Sequence, residues 1–156
     1  MCGRFSVNKE QVEDWVTDHW DISFSCESNK DLRPTQQVST LIKVNDNLSQ
    51  LNTQWGIKPS WYEWRNEGGK RKLKYVFHAS SNQVLLMAGI WYETESVPQL
   101  VTLTTRPNSR CGECHKRMPV LIDANNMDYW FNSDVEQLQP LLEPIASDLV
   151  TVALEN

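Results

Sequence analysis

Apolar residues in the first twenty positions fall on one helical face. Val12, Trp15, Val16 and Trp20 stand at the i, i+3, i+4 and i+8 spacing, with Asn8 placed to cap, and predict a helix over 8–20. Residues 21–35 lack a sustained period and read as a loop ending in Arg33-Pro34-Thr35. Val38–Val44 and Leu48–Trp55 read as a hairpin across Asn45-Asp46-Asn47, residues that favour turns. Leu73–His78, Val84–Tyr92 and Gln99–Thr105 are three further strand segments, with Gly68-Gly69 and Ser80-Ser81-Asn82 marking turns. A second helix is expected over Asp123–Phe131 and a short third over Asp134–Leu142, limited by Pro140 and Pro144. A helix, several strands, then helices, with no repeat or linker, predicts one α+β domain over 1–156. Its base is a mostly antiparallel sheet or partial barrel with flanking helices.

Composition adds bounds. A chain of 156 residues can bury one real core. No run reaches the roughly 18 apolar residues of a membrane span. The polar, charged start (Arg4, Asn8, Lys9, Glu10) argues against an export signal. A cytoplasmic monomer without a membrane partner is therefore expected, with Cys2, Cys26, Cys111 and Cys114 reduced. A net charge of −5 argues against an indiscriminate nucleic-acid binder. The charge is uneven, however. Arg65–Lys74 holds five cations and one anion, and Arg106, Arg110, Lys116 and Arg117 form a second basic group. A molecule with one basic face can bind a phosphate backbone, although on charge alone Arg65–Lys74 reads as a solvated hairpin.

Candidate chemistry begins at Met1-Cys2-Gly3-Arg4-Phe5. A methionine followed by a small residue is a substrate for aminopeptidase removal, which would leave Cys2 with an α-amine and a thiol on adjacent carbons. The amine, with a pKa of about 7.7–8.0, is partly neutral at physiological pH and adds to aldehydes. The thiol then closes a five-membered thiazolidine. Gly3 permits close approach, Arg4 is a phosphate-sized fork, and Phe5 can anchor a segment that would otherwise be loose. Glu63 stands among four aromatics in the stretch Trp55–Trp64, where desolvation would raise its pKa toward proton-shuttle range; an exposed strand-end glutamate is the plainer reading. His115 and Arg117 precede the apolar run Met118–Ile122, and Thr104-Thr105-Arg106 could bind phosphate. Cys111-Gly112-Glu113-Cys114-His115 matches haem-attachment, redox and zinc spacings. Haem attachment needs export, a redox site needs a βαβ context, and zinc needs further ligands such as Cys26 or His78. No metal or cofactor is expected.

Taken together, the ordered motifs resemble the SRAP family (SOS response-associated peptidases) of abasic-site processing proteins. They are Met1–Phe5, Arg33-Pro34-Thr35-Gln36, Trp55-Gly56 through Pro59 and Trp61, Tyr62-Glu63-Trp64, Met87–Trp91, Thr104-Thr105 and His115–Pro119. The resemblance implies covalent capture, through Cys2, of the aldehyde of abasic sites in single-stranded DNA during the damage response. It further implies that Glu63 moves protons in ring opening and reversal, and that His115 assists at the opened sugar. Arg4 and Arg117 would hold phosphates, with Pro34, Trp61 and Thr104 near the DNA path. Two departures stand out. The family's Asn-Ala-Arg-x-Glu stretch is missing between Trp61 and Tyr62, and Asp31 stands where the family often has asparagine. Alternatives are a non-catalytic single-strand binder and a thiol hydrolase or protease using Cys2 or Cys111 with His115; a lyase description is also compatible.

Overall fold

The computed structural model describes residues 4–56, 74–80 and 84–155, and its fold is mixed α+β with a curled, half-barrel-like, mostly antiparallel sheet. Strand β1 (Phe5–Val7) leads through Asn8 into helix α1 (Lys9–Trp20). Asn8 accepts a hydrogen bond from the Gln11 backbone, and Asp21 closes the helix in the left-handed region at φ 48°. The helix buries Trp15 and Val16, the centre of the expected apolar face. After it, residues 21–35 are not all loop. Strand β2 (Asn29–Leu32) lies there and pairs antiparallel with β1, opposing Phe5 to Leu32. Its sequence, Asn-Lys-Asp-Leu, offers a single apolar side chain, so no alternation marks it.

Strands β3 (Gln37–Val44) and β4 (Asn47–Trp55) form the expected hairpin, Val44 opposing Asn47. Asn45 and Asp46 at the tip both have positive φ, 48° and 64°, which matches a two-residue turn to the twist of the strands. Strand β5 (Lys74–Ala79) takes the place of the expected Leu73–His78; Leu73 and the Gly68-Gly69 turn lie outside the described residues.

The two remaining strand segments are each interrupted by one residue. Leu86–Met87 (β6) and Gly89–Tyr92 (β7) flank Ala88, while Gln99–Thr102 (β8) and Thr104–Thr105 (β9) flank Leu103. After the four-residue helix α2 (Ser109–Gly112), Met118–Pro119 (β10) and Leu121–Ile122 (β11) flank Val120. The interruptions share a cause. β6 pairs with β11, β7 with β8, and β9 with β10, so each of three extended segments exchanges partners at its central residue. There, Ala88 N–H donates to the Val120 carbonyl (2.9 Å), Val120 N–H to that of Leu103 (3.0 Å), and Leu103 N–H to that of Ala88 (2.9 Å). This closed ring satisfies backbone groups that would otherwise be buried unpaired where three strands meet. Ala88 and Val120 are 3 % and 2 % exposed, packed with Ile122 and Met127 and, around them, Trp20, Leu103 and Trp130.

The run Met118–Ile122 is continuously apolar because it is covered on both sides. Val120 and Ile122 enter the cluster just described, whereas Met118 and Leu121 pack with Cys111 and the fully buried Val150. Val150 begins β12 (Val150–Glu155), which pairs with β5 over six residues. The second expected helix divides into a 3-10 turn at Ala124–Asn126, opened by Asp123, and helix α3 (Met127–Asn132). The third is 3-10 throughout, Val135–Leu142, and contains Pro140, which has no N–H to donate. β8 also pairs with β4, in parallel, joining β3-β4-β8-β7 into one four-stranded sheet.

Candidate functional site

The site is organised by Trp55, 3 % exposed at the end of β4. Phe5 meets its ring edge-on, with centroids 4.7 Å apart and planes at 70°, and Leu32, Val38 and Leu100 complete the packing. The indole N–H donates to the Thr102 hydroxyl oxygen at 2.8 Å. One side chain thus locks β1 to β8. Beside it, Pro34 packs against Gly56. A Cβ on Gly56, whose φ is +82°, would stand 3.4 Å from the Pro34 Cβ. Thr35 also has a positive φ, 79°, an unusual state for a β-branched residue. Its backbone is held at both ends, N–H to the Trp55 carbonyl at 2.6 Å and carbonyl accepting from Gln54 Nε2 at 2.9 Å.

Two residues along from Thr102, Thr104 enters the β9–β10 pair opposite Pro119, and its hydroxyl accepts from the Arg117 guanidinium. The loop carrying His115 is fixed by Asn108. Its side chain caps α2 by accepting from Cys111 N–H at 2.9 Å and donates to the Ile145 carbonyl at 3.0 Å. The Cys111 carbonyl then accepts from both Cys114 and His115 N–H groups at 3.0 Å. His115 Nδ1 lies 2.8 Å from the Arg117 carbonyl oxygen and 3.2 Å from its backbone nitrogen. In one tautomer the ring N–H donates to the carbonyl; in the other the backbone N–H donates to the ring. The imidazole is exposed and oriented by the same residue whose side chain reaches Thr104.

Thr104, His115 and Arg117 are therefore brought together, and Arg4 and Pro34 lie on the segments that flank Trp55. Arg4 Nη1 is 3.3 Å from Asp31 Oδ1, across the β1–β2 pair. Cys2, Trp61 and Glu63 lie outside the described residues. The Asn108 cap and the Trp55–Thr102 bond were not anticipated. Asn108, three residues before Cys111 and directly after Pro107, carries a recognisable cap signature. A cross-strand indole–hydroxyl bond has no local one.

Cys111 and Cys114 do not form an open reactive pair. Cys111 is buried, and burial, followed by the neighbouring Cys114, pushes its thiol above the usual cysteine range; Arg110 opposes this less strongly. Cys26, buried elsewhere, is likewise raised by burial first and Glu13 second. Among the described residues no three His, Cys, Asp or Glu side chains converge as a metal site, and no helix is long and apolar enough to cross a membrane. Both buried cysteines stay thiols near neutral pH, so iodoacetamide at pH 7.5 should label Cys114, which is half-buried, well ahead of Cys26 and Cys111. Peptide mass mapping checks the order; equal labelling of Cys111 and Cys114 in the native state would contradict it. A raised folded pKa also means that stability from the buried thiols is complete below the unfolded value near 9.0 and declines as pH rises beyond it.

A curled antiparallel sheet with its N-terminal strand pinned over a buried tryptophan, next to a Thr–Arg–His group, defines the class. Residues 58–155 match the family model for SOS response associated peptidase (SRAP), and the chain belongs to that family. It is 24 % identical to the abasic site processing protein YoqW of Bacillus subtilis, covering 95 % of this chain and 89 % of the relative. For the abasic site processing protein YoaM of the same organism the identity is 23 %, over 95 % and 88 %. The YoqW match extends over 200 aligned positions against 95 % of 156 residues, so about fifty positions have no residue of this chain opposite them. The fold is also that of a Bordetella bronchiseptica protein, with a TM-score of 0.76 at 14 % identity over 99 % of this chain and 100 % of that one. A phage-related protein from the same organism superposes at 0.72, with 17 % identity over 99 % and 94 %.

Proposed function

We propose that this protein captures abasic sites in single-stranded DNA through Cys2, forming a thiazolidine that shields the lesion. Membership of the SRAP family and the naming of the Bacillus relatives as abasic site processing proteins support the reading. The observation that carries it is the run of contacts Phe5–Trp55–Thr102 on the segment that continues to Thr104 and Arg117. Phe5, three residues beyond Cys2, is thereby fastened next to the strand that presents the polar group.

With Met1 removed, the Cys2 amine attacks the aldehyde carbon of the opened deoxyribose and water leaves, giving an imine. The thiol then adds to the imine carbon, its proton passing to nitrogen. Glu63 is assigned the proton relay for sugar opening and for reversal, and His115 the assisting role at the opened sugar and adjacent phosphate. Arg4 and Arg117 hold phosphates, while Pro34, Trp61 and Thr104 flank the strand. We assign the unmatched alignment positions chiefly to the missing stretch between Trp61 and Tyr62, within a single domain over 1–156. That shortening favours a second reading, a single-strand binder without covalent chemistry.

One experiment separates them. Wild-type protein, with Met1 loss verified by intact mass, should convert an abasic oligonucleotide to a species that survives denaturing electrophoresis. Reduction of the abasic aldehyde to an alcohol beforehand should eliminate that species. Binding to undamaged single strands with no covalent product from the abasic one would leave the second reading standing.

A further inference from the structure

Asp31 and Arg33 have no role in the function proposed above, yet with Arg4 they form one surface cluster. Arg4 Nη1 lies 3.3 and 3.4 Å from the two Asp31 oxygens. Arg33 directs both Nε (2.9 Å) and Nη2 at Asp31 Oδ2. One carboxylate therefore gathers two guanidiniums from different strand ends. The backbone beneath is fixed: Asp31 N–H donates to Asn29 Oδ1 at 2.8 Å and Arg33 N–H to Gln36 Oε1 at 2.6 Å. The Arg4 and Arg33 side chains are 54 % and 58 % exposed, against 35 % for Asp31.

From this geometry we infer that Arg4 and Arg33 form a two-guanidinium fork for one DNA phosphate, which Asp31 occupies until the nucleic acid displaces it. A phosphodiester presents two unesterified oxygens and a single negative charge, the same recognition features as the carboxylate, and arginine grips both by paired N–H donors. The exchange is feasible because solvent screens an ion pair this exposed and leaves it only weakly stabilising. Asp31 acts as a built-in competitor. It keeps the fork assembled, and by remaining close after displacement it weakens the hold on DNA. Arg33, which directly follows β2, becomes a phosphate contact, and Asp31, within β2, the residue that sets affinity.

The inference rests on the DNA-binding reading, and the test separates the two. Binding of an undamaged single-stranded oligonucleotide is measured by fluorescence anisotropy across a salt series, with thermal melts confirming folding. Asp31→Asn should tighten binding about threefold or more at low salt. Arg33→Gln should weaken it and reduce the slope of log affinity against log salt by about 0.7, one phosphate on a single strand. Arg33→Lys, retaining charge but not the fork, should fall between Arg33→Gln and wild type. With Arg33→Gln already present, Asp31→Asn should recover clearly less than its threefold gain. Asp46→Asn, which removes the same charge from the Lys43 pair at the hairpin tip, serves as control and should change affinity little. A gain from Asp31→Asn no larger than the control's, or effects of Asp31→Asn and Arg33→Gln that simply add, overturns the fork while leaving DNA binding intact. Failure of wild type to bind single strands at all overturns both readings.

Discussion

Cys2→Ala should reduce the denaturation-resistant DNA adduct to background while leaving the first half of the chemistry in place. The alanine variant keeps a terminal amine once Met1 is removed, and that amine still condenses with the abasic aldehyde. It cannot close the ring, so its imine hydrolyses on work-up. Borohydride added during the reaction should trap the imine as a stable amine, giving an adduct from the variant only in the presence of reductant. Retention of Met1 should abolish the adduct that survives without reductant, because the nitrogen of residue 2 is then an amide and the terminal amine, now on Met1, has no thiol on the adjacent carbon. Wild-type capture should accelerate with pH through the range of the α-amine, about 7.7–8.0, because only the neutral amine attacks. A stable adduct from Cys2→Ala at wild-type yield without reductant would place the nucleophile elsewhere.

The fold class could be read from the chain because its signals are local. Val12, Trp15, Val16 and Trp20 mark α1 by their spacing, and the hairpin of β3 and β4 is announced by the turn-favouring Asn45-Asp46-Asn47 between two strand segments. What could not be read depends on partners distant in sequence. β2 has one apolar residue and exists because β1, more than twenty positions earlier, pairs with it. The breaks at Ala88, Leu103 and Val120 arise from a three-way exchange of partners that no single segment encodes. A short helix was expected over Asp134–Leu142, and the segment is 3-10 over Val135–Leu142, with Pro140 inside it. In the site, Arg117 and Thr104 are thirteen positions apart and meet because Arg117 directly precedes β10, whose Pro119 opposes Thr104, a contact that no local period encodes. Asp31 shows the opposite case: its substitution for the usual asparagine was visible, but its two arginine partners were not.

Trp55→Ala should be the most destabilising single change in the described part of the site. The side chain is almost wholly buried, and truncating a buried tryptophan costs about 3–5 kcal/mol through lost burial and the cavity left behind. Here the loss extends beyond volume. Phe5 loses the ring it meets edge-on, the Thr102 hydroxyl loses its indole donor, and Leu32 and Val38 border the vacated space. Since small domains are stable by only about 5–15 kcal/mol, a large part of the total would go. Trp55→Phe separates the contributions: it refills most of the space and removes the N–H donor, so it should cost about 1–3 kcal/mol, the penalty for an abandoned hydrogen bond with some residual cavity. Urea denaturation of the three proteins measures both differences. The consequence for function follows from the contact with Phe5, which fastens the strand leading back to Cys2. In conditions where Trp55→Ala remains folded, adduct formation should slow more than binding to undamaged single strands, since the reactive terminus loses its anchor while Arg117 and Thr104 keep theirs. A loss of stability below about 1 kcal/mol in Trp55→Ala would show that the packing around the indole does not hold β1 in place.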